Sequence, residues 1–501
     1  MKKFLGILAA LLAILTFAGI SLTSVVGCGG GSSPTPTPTP PSTVFPNDQS
    51  LAQSPPVKLG TSGGNANDLG TKVCCIGTLG SLWTKVGVTN PVILSNNHVL
   101  DRSGQGVAGE AINQPLQLAC TATTAPPPLT VAHLTAGAKL KPLANETTGP
   151  CATDTSKAAL CGKAPDNVDA AIAEIVAGEV DTSGTILDLG AVGTSSIAPA
   201  PPSATIGTAA LNEGVGKSGR TTGLTCSTVQ SIGNTILINY DATCGDTSPS
   251  FTAYFTGQVT IAGGSFSAGG DSGSLIVDTA TARPVALLYG GNSVSTVANP
   301  LLDNAGGTGV ITAFGGPAAF TIVGGPDHAV SCARQATAAA TQVGTSQAAL
   351  IPAERQRVAA VQKARSASLM RDFGFTSVAV GPSADNPNEG ALILHVSGKS
   401  VPALPAVIDG VRTRLVFDNP SFSAPVISSQ QISQAMAVKE AHVSEYLGKG
   451  IQGFGVAVSS DNPAETAIAI YVIQGQAHPA IPATIDGIRT KVFEGTQFKT
   501  Y

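Results

Sequence analysis

At 501 residues the chain has room for about three domains of roughly 150 residues, and a hydrophobic share of 43% supplies real cores, which excludes wholesale disorder. Charged residues are only 12% and the formal net charge is −4, so no basic surplus exists to release counterions from a phosphate backbone; nucleic acid is excluded as a partner. The 58 glycines, 34 prolines and single tryptophan favour turn-rich β structure over helical bundles.

Lys2 and Lys3 precede an apolar run over residues 4–20, the charged and apolar parts of an export signal. Val25-Val26-Gly27-Cys28 follows and resembles the lipobox of bacterial lipoproteins. That resemblance implies a signal peptide over 1–27, acylation of Cys28, and an exported protein anchored by lipid to a bacterial membrane, facing the periplasm or the exterior. An uncleaved membrane span is the alternative, although the run falls short of the ~20 residues that cross a bilayer. Residues 28–58 read as a tether, because the alternating stretch from Pro34 to Pro40 cannot bury apolar surface and extends as polyproline II. Besides Cys28 the chain holds Cys74, Cys75, Cys120, Cys151, Cys161, Cys226, Cys244 and Cys332. An even set in an exported chain points to disulfides, and Cys151 with Cys161 and Cys226 with Cys244 close the shortest convenient loops. No Cys-x-x-Cys pair occurs, so no metal and no cofactor is expected.

Residues 59–330 read as short apolar runs between turn residues, with strands expected at 92–94, 170–176, 235–240, 251–261, 274–277 and 285–289. Such a length suits two packed β-barrels. From 331 the style changes. A helix is expected over 346–371 and another near 432–447, each followed by strands. Pro405-Ala406-Val407-Ile408-Asp409-Gly410-Val411-Arg412-Thr413 recurs 77 residues later as Pro482-Ala483-Thr484-Ile485-Asp486-Gly487-Ile488-Arg489-Thr490, and Asp385-Asn386-Pro387 recurs as Asp461-Asn462-Pro463. Two α+β repeats are expected, over 331–424 and 425–501, each with a hairpin turned by Asp-Gly.

Acyl-transfer chemistry needs a hydroxyl, a base, a carboxylate to orient the base, and donors for the oxyanion. Three strand ends supply them in order. His98 follows the apolar run in Val92-Ile93-Leu94-Ser95-Asn96-Asn97-His98; Asp169 opens the run in Asn167-Val168-Asp169-Ala170-Ala171-Ile172; Ser272 sits in Gly269-Gly270-Asp271-Ser272-Gly273-Ser274. Asp166 competes for the carboxylate role, but residues three apart on a strand face opposite sides, and Asp169 is preferred. His133 lies in the insertion between His98 and Asp169, and the other histidines lie outside these motifs.

In these motifs the sequence resembles the chymotrypsin/trypsin-like serine peptidases, which carry His, Asp and Ser in this chain order and Gly-Asp-Ser-Gly around the nucleophile. The resemblance implies a mainly β fold of two six-stranded antiparallel barrels. It implies a serine endopeptidase acting on polypeptides, with Ser272 as nucleophile, His98 as general base and Asp169 as the orienting carboxylate. The backbone N–H groups of Gly270 and Ser272 would then form the oxyanion hole. Ser218-Gly219-Arg220-Thr221-Thr222-Gly223 resembles a segment of bacterial lytic-type members, which implies Arg220 as the counter-charge of Asp271. By family spacing Phe266 forms the base of the specificity pocket and Tyr289, Gly290 and Gly291 a wall, so an apolar or small side chain is expected there rather than Lys or Arg. The 71-residue separation of His98 and Asp169, carrying Cys120, Cys151 and Cys161, is expected to form a braced surface loop. The competing functional reading is a catalytically inactive surface lipoprotein that binds or adheres through its C-terminal repeats. Oligomeric state is not legible.

Overall fold

Runs of small and β-branched residues form strands here because both faces of most strands find something apolar to cover. The computed structural model of the protein describes residues 49–68, 76–116, 128–141, 167–192, 196–240, 251–304, 306–332, 350–398 and 400–501. Cys28, residues 28–48 of the expected tether, Cys74, Cys75, Cys120, Cys151, Cys161, Asp166 and Cys244 lie outside the described residues, whereas Gln49 and Val57, also within the expected tether, are buried and Val57 bridges to Val180 in the core.

The chain is mainly β. The first sheet has eight antiparallel strands, with Ser81–Lys85, Val92–Ser95, Ala171–Ile175, Leu129–Gly137 and Ala111–Gln114 as consecutive neighbours. Val92–Ser95 is wholly buried and pairs with Ala171–Ile175 so that Ser95 faces Ala171. That register decides the site: His98, just past one strand, and Asp169, just before the other, emerge at the same end of the sheet. The insertion between them is not wholly a surface loop. Its described parts include the strands Ala111–Gln114 and Leu129–Gly137, and His133 lies on the latter, exposed.

The second sheet has eleven strands, six of them from the expected barrel. Gly214–Gly219, Gly223–Tyr240, Phe251–Ala262, Leu275–Asp278, Pro284–Gly291 and Ser295–Pro300 belong to the barrel region, and the rest come from the end of the chain. The junction is a ladder between Gly223–Tyr240 and Ile451–Val458, in which Gly453 faces Ile236 and Ala457 faces Ser231. A disulfide joins Cys226 to Cys332, with Cα atoms 5.8 Å apart, and so replaces the expected Cys226 to Cys244 bridge. The short sequence loop was a poor guide because Cys332 returns across the sheet beside Gly214–Gly219, where Val330 N–H donates to Thr279 O at 2.8 Å.

Helices occupy Pro352–Phe373 and Ser429–Tyr446, close to the expected spans. The second is capped by Ser428, whose side chain accepts from Gln431 N–H while Gln431 answers at Ser428 N–H. Each repeat then lays down the same strand order: antiparallel first pair, a parallel neighbour, and a short hairpin partner. Asp409 and Gly410 have φ of 46° and 76°, and Asp486 and Gly487 46° and 81°, the left-handed pair that a tight hairpin demands.

The repeated motifs face one another. Asp461 accepts from Ser383 Oγ at 2.5 Å and Ala384 N–H at 2.6 Å, and Asp385 accepts from Ser459 Oγ and Ser460 N–H at the same two distances. Arg412 donates to Thr490 O and Oγ1, and Arg489 donates to Thr413 O and Oγ1. Burial, and then the charge of Asp385, raise the pKa of Asp461. The repetition is thus explained by a two-fold interface. Arg489→Ala leaves buried acceptors unpaired and is expected to cost about 2–4 kcal/mol in urea unfolding. Arg365→Ala, at an exposed pair with Asp409, should cost less than about 1 kcal/mol.

Candidate active site

His98 lies on a single helical turn, Asn97–Leu100, that ends the strand Val92–Ser95. Its Nδ1 donates to Asp169 Oδ2 at 2.6 Å, and its backbone N–H donates to Asp169 Oδ1 at 3.1 Å. The carboxylate therefore holds both the ring and the turn. Asp169 is fully buried and takes a third donor, Tyr240 Oη, at 2.7 Å. Burial, and then the charge of Asp169, push the Tyr240 phenol well above its usual range, which keeps it a donor. Asn96 and Asn299 fix the Asp169 backbone by donating to its carbonyl at 2.8 and 3.0 Å. With Nδ1 donating, the neutral imidazole carries its lone pair on Nε2, which is buried and has no hydrogen-bond partner among the described residues.

Ser272 rides a turn anchored on the first sheet. Thr78 N–H donates to Ser272 O at 2.7 Å, and Thr78 O accepts from Ser95 Oγ at 2.7 Å, three residues before His98. Gly270 and Gly273 have φ of 97° and 93°, and a Cβ on Gly273 would lie 2.1 Å from Ser95 Oγ. Among the described residues, neither the Gly270 nor the Ser272 N–H donates to a protein acceptor. Asp271 is buried beneath the turn and accepts from Thr221 N–H, Thr222 N–H, Thr222 Oγ1 and Ala268 N–H. Its ion-pair partner is Lys217, with Nζ at 3.6 Å and both side chains fully buried, and not Arg220. Arg220 instead donates to Thr221 Oγ1 and leaves Nε buried and unpaired. The reason is reach: Lys217 points along the strand Gly214–Gly219 into the interior, whereas Arg220 lies in the turn beyond it, against Gly270. Burial lowers the pKa of both cations, and the charge of Asp271 opposes that fall.

The strand Pro284–Gly291 edges the cleft, and a peptide segment lies along it. Thr500 faces Gly290 and Lys499 faces Gly291 in an antiparallel ladder, and Ser272 Oγ lies 2.8 Å from Tyr501 O and 3.2 Å from Tyr289 O. A Cβ on Gly290 would stand 2.5 Å from Lys499 O, and one on Gly291 would stand 2.2 Å from Tyr501 Oη. Both glycines thus leave room for a chain rather than forming a wall of side chains. The Tyr289 side chain turns into the core beside Phe255, so only its carbonyl faces Ser272. Phe266 is buried in the hydrophobic cluster on which Tyr501 packs, and Lys217 Nζ lies 5.7 Å from its ring centroid.

His98 and Asp169 are thus bonded to each other, and the turn carrying Ser272 is anchored at the same end of the first sheet through Thr78 and Ser95, although Ser272 Oγ bonds to Tyr501 O and Tyr289 O and not to His98 Nε2. Sequence reasoning missed Tyr240, Lys217 and Tyr501. Lys217 immediately precedes the quoted Ser218-Gly219-Arg220 segment, but nothing in a linear sequence tells which cation turns inward. No protein-family profile matches the chain, and a search of curated proteins returns no match. Among solved structures the chain is similar to a glutamic-acid-specific serine protease, at 15% identity and TM-score 0.31, over 53% of this chain and 100% of that one. It is similar to Thermobifida fusca protease A, at 14% identity and TM-score 0.31, over 54% and 99%. It is also similar to Cellulomonas bogoriensis chymotrypsin, at 14% and 0.26, over 48% and 96%.

Removing the cation beneath the serine turn is the sharper test of that arrangement: Lys217→Met should cost about 3–5 kcal/mol in denaturant unfolding, and Arg220→Ala clearly less. Equal losses would return the counter-charge to Arg220.

Proposed function

We propose that this chain is a chymotrypsin-like serine endopeptidase acting outside the cytoplasm on polypeptides. The observation that carries the proposal is the buried 2.6 Å bond from His98 Nδ1 to Asp169, which leaves Nε2 open at the sheet end where the Ser272 turn is anchored. In this role His98 takes the Ser272 proton as Oγ attacks a peptide carbonyl, and Asp169 stabilises the imidazolium. The N–H groups of Gly270 and Ser272 donate to the oxyanion. His98 then gives the proton to the leaving amine, and water cleaves the acyl-enzyme by the same path. Tyr240 acts through Asp169 as a positioning residue. Export and lipid attachment at Cys28 rest on the N-terminal sequence.

A fluorophosphonate probe is expected to label the full chain and to leave Ser272→Ala unlabelled, while Asp169→Asn lowers kcat by about 10⁴-fold. Labelling that survives in Ser272→Ala overturns the assignment. Tyr240→Phe removes one hydrogen bond to a charged group and should lower kcat by about tenfold with KM little changed, on peptide hydrolysis assays. Lipid attachment is checked by palmitate incorporation in the producing cell, expected to vanish in Cys28→Ala.

A further inference from the structure

The end of the second repeat runs into the cleft. Its strand Ile488–Gly495 is continued by Thr496, whose carbonyl accepts from Asn292 Nδ2 and Gln452 Nε2 at 3.1 and 2.9 Å. Phe498 then locks in place: its side chain is fully buried, its N–H donates to Gln452 Oε1 at 2.7 Å, and its carbonyl accepts from Asn239 N–H at 3.1 Å. From that anchor the next three residues reach Ser272.

We propose that Lys499-Thr500-Tyr501 is a tethered occupant of the substrate cleft, and that it displays the substrate class of the site: polypeptides with tyrosine immediately before the bond to be cut. The inference rests on the peptidase proposal for the same site. Three independent contacts place the segment as the acyl side of a substrate. Its backbone pairs with Gly290 and Gly291, two positions where any side chain would collide with it. The Tyr501 main-chain oxygen accepts from Ser272 Oγ at 2.8 Å, so the segment engages the hydroxyl that a substrate would meet. Its last side chain packs on the cluster containing Phe266 and Ile276, and its hydroxyl reaches the hydroxyls of Ser267 and Thr296, themselves 2.5 Å apart. An aromatic ring with a hydroxyl at its tip matches that lining. A lysine would bring its ammonium to two hydroxyls with no free carboxylate, since Asp271 is already paired with Lys217. A glutamate would be desolvated without a cation.

The segment is also a regulator by geometry. A tether anchored at Phe498 holds the tyrosine at an effective concentration in roughly the millimolar range, so an external peptide has to displace it. The full chain is thereby held slow until the tail leaves.

The test compares the full chain with its Tyr501→Gly variant. One readout is the rate of fluorophosphonate labelling, measured with Ser272 intact. The other, measured in a Ser272→Ala background, is binding of a fluorescent Phe-Lys-Thr-Tyr peptide, with Phe-Lys-Thr-Lys as control. Tyr501→Gly is expected to label about tenfold faster or more and to bind the tyrosine peptide about tenfold tighter, with no gain for the lysine peptide. Equal labelling and equal binding overturn the tethered occupant, and a gain for both peptides alike overturns the tyrosine class. If no chain labels while tyrosine-peptide binding still rises in Tyr501→Gly, the peptidase assignment fails and the docking of the tail stands.

Discussion

The buried carboxylate of Asp169 is the interaction on which the rest depends. It accepts from His98 twice and from Tyr240 once, so that one oxygen pair ties the exit of the strand Val92–Ser95 to the end of the strand Gly223–Tyr240. The first belongs to the eight-stranded sheet and the second to the eleven-stranded one. A charge with no exposure is tolerable only with such a complement of donors, and each of these donors comes from an element that the fold must therefore bring into place. The same bonds fix the imidazole tautomer. Structure and chemistry are served by one constraint.

The second consequence is continuity. The sheet that supports Ser272 does not end at a barrel edge; Gly223–Tyr240 passes its hydrogen bonds to Ile451–Val458, and the helix Ser429–Tyr446 covers the shared core together with Tyr254. An otherwise open strand edge is thus closed by the chain itself. The first repeat is joined to the second by crossed aspartate and arginine bonds, so the C-terminal third is built onto the sheet behind the cleft and directs the last strand toward Ser272. A cleft edged by Gly290 and Gly291 accepts that strand because no Cβ intervenes.

Much of this was legible in the sequence, for definable reasons. Strands at 92–95 and 171–175 are short, mostly apolar runs, and 251–262 is rich in aromatic and β-branched residues, so their place in a sheet needs no tertiary information to anticipate. His98, Asp169 and Ser272 stand at strand ends, where short-range pattern and chemistry coincide. The repeat was visible because both copies kept Asp-Gly at the hairpin and Asp and Arg at the interface, although only coordinates reveal that these residues face their counterparts. What escaped depends on long-range contact. Whether Lys217 or Arg220 meets Asp271, whether Cys226 meets Cys244 or Cys332, and that Tyr240 donates to Asp169 are decided by side-chain direction across elements far apart in the chain. The arrival of Tyr501 beside Ser272, 229 residues away in sequence, has no local signature at all.

The central claim is that a buried carboxylate holds the imidazole through Nδ1 and leaves Nε2 for the serine. Proton NMR of the full chain tests it most directly. The account predicts a far-downfield resonance from the His98 Nδ1 proton, absent in His98→Gln and lost or moved well upfield in Asp169→Asn. A spectrum of the folded protein with no such resonance, or one unchanged by Asp169→Asn, would contradict the account.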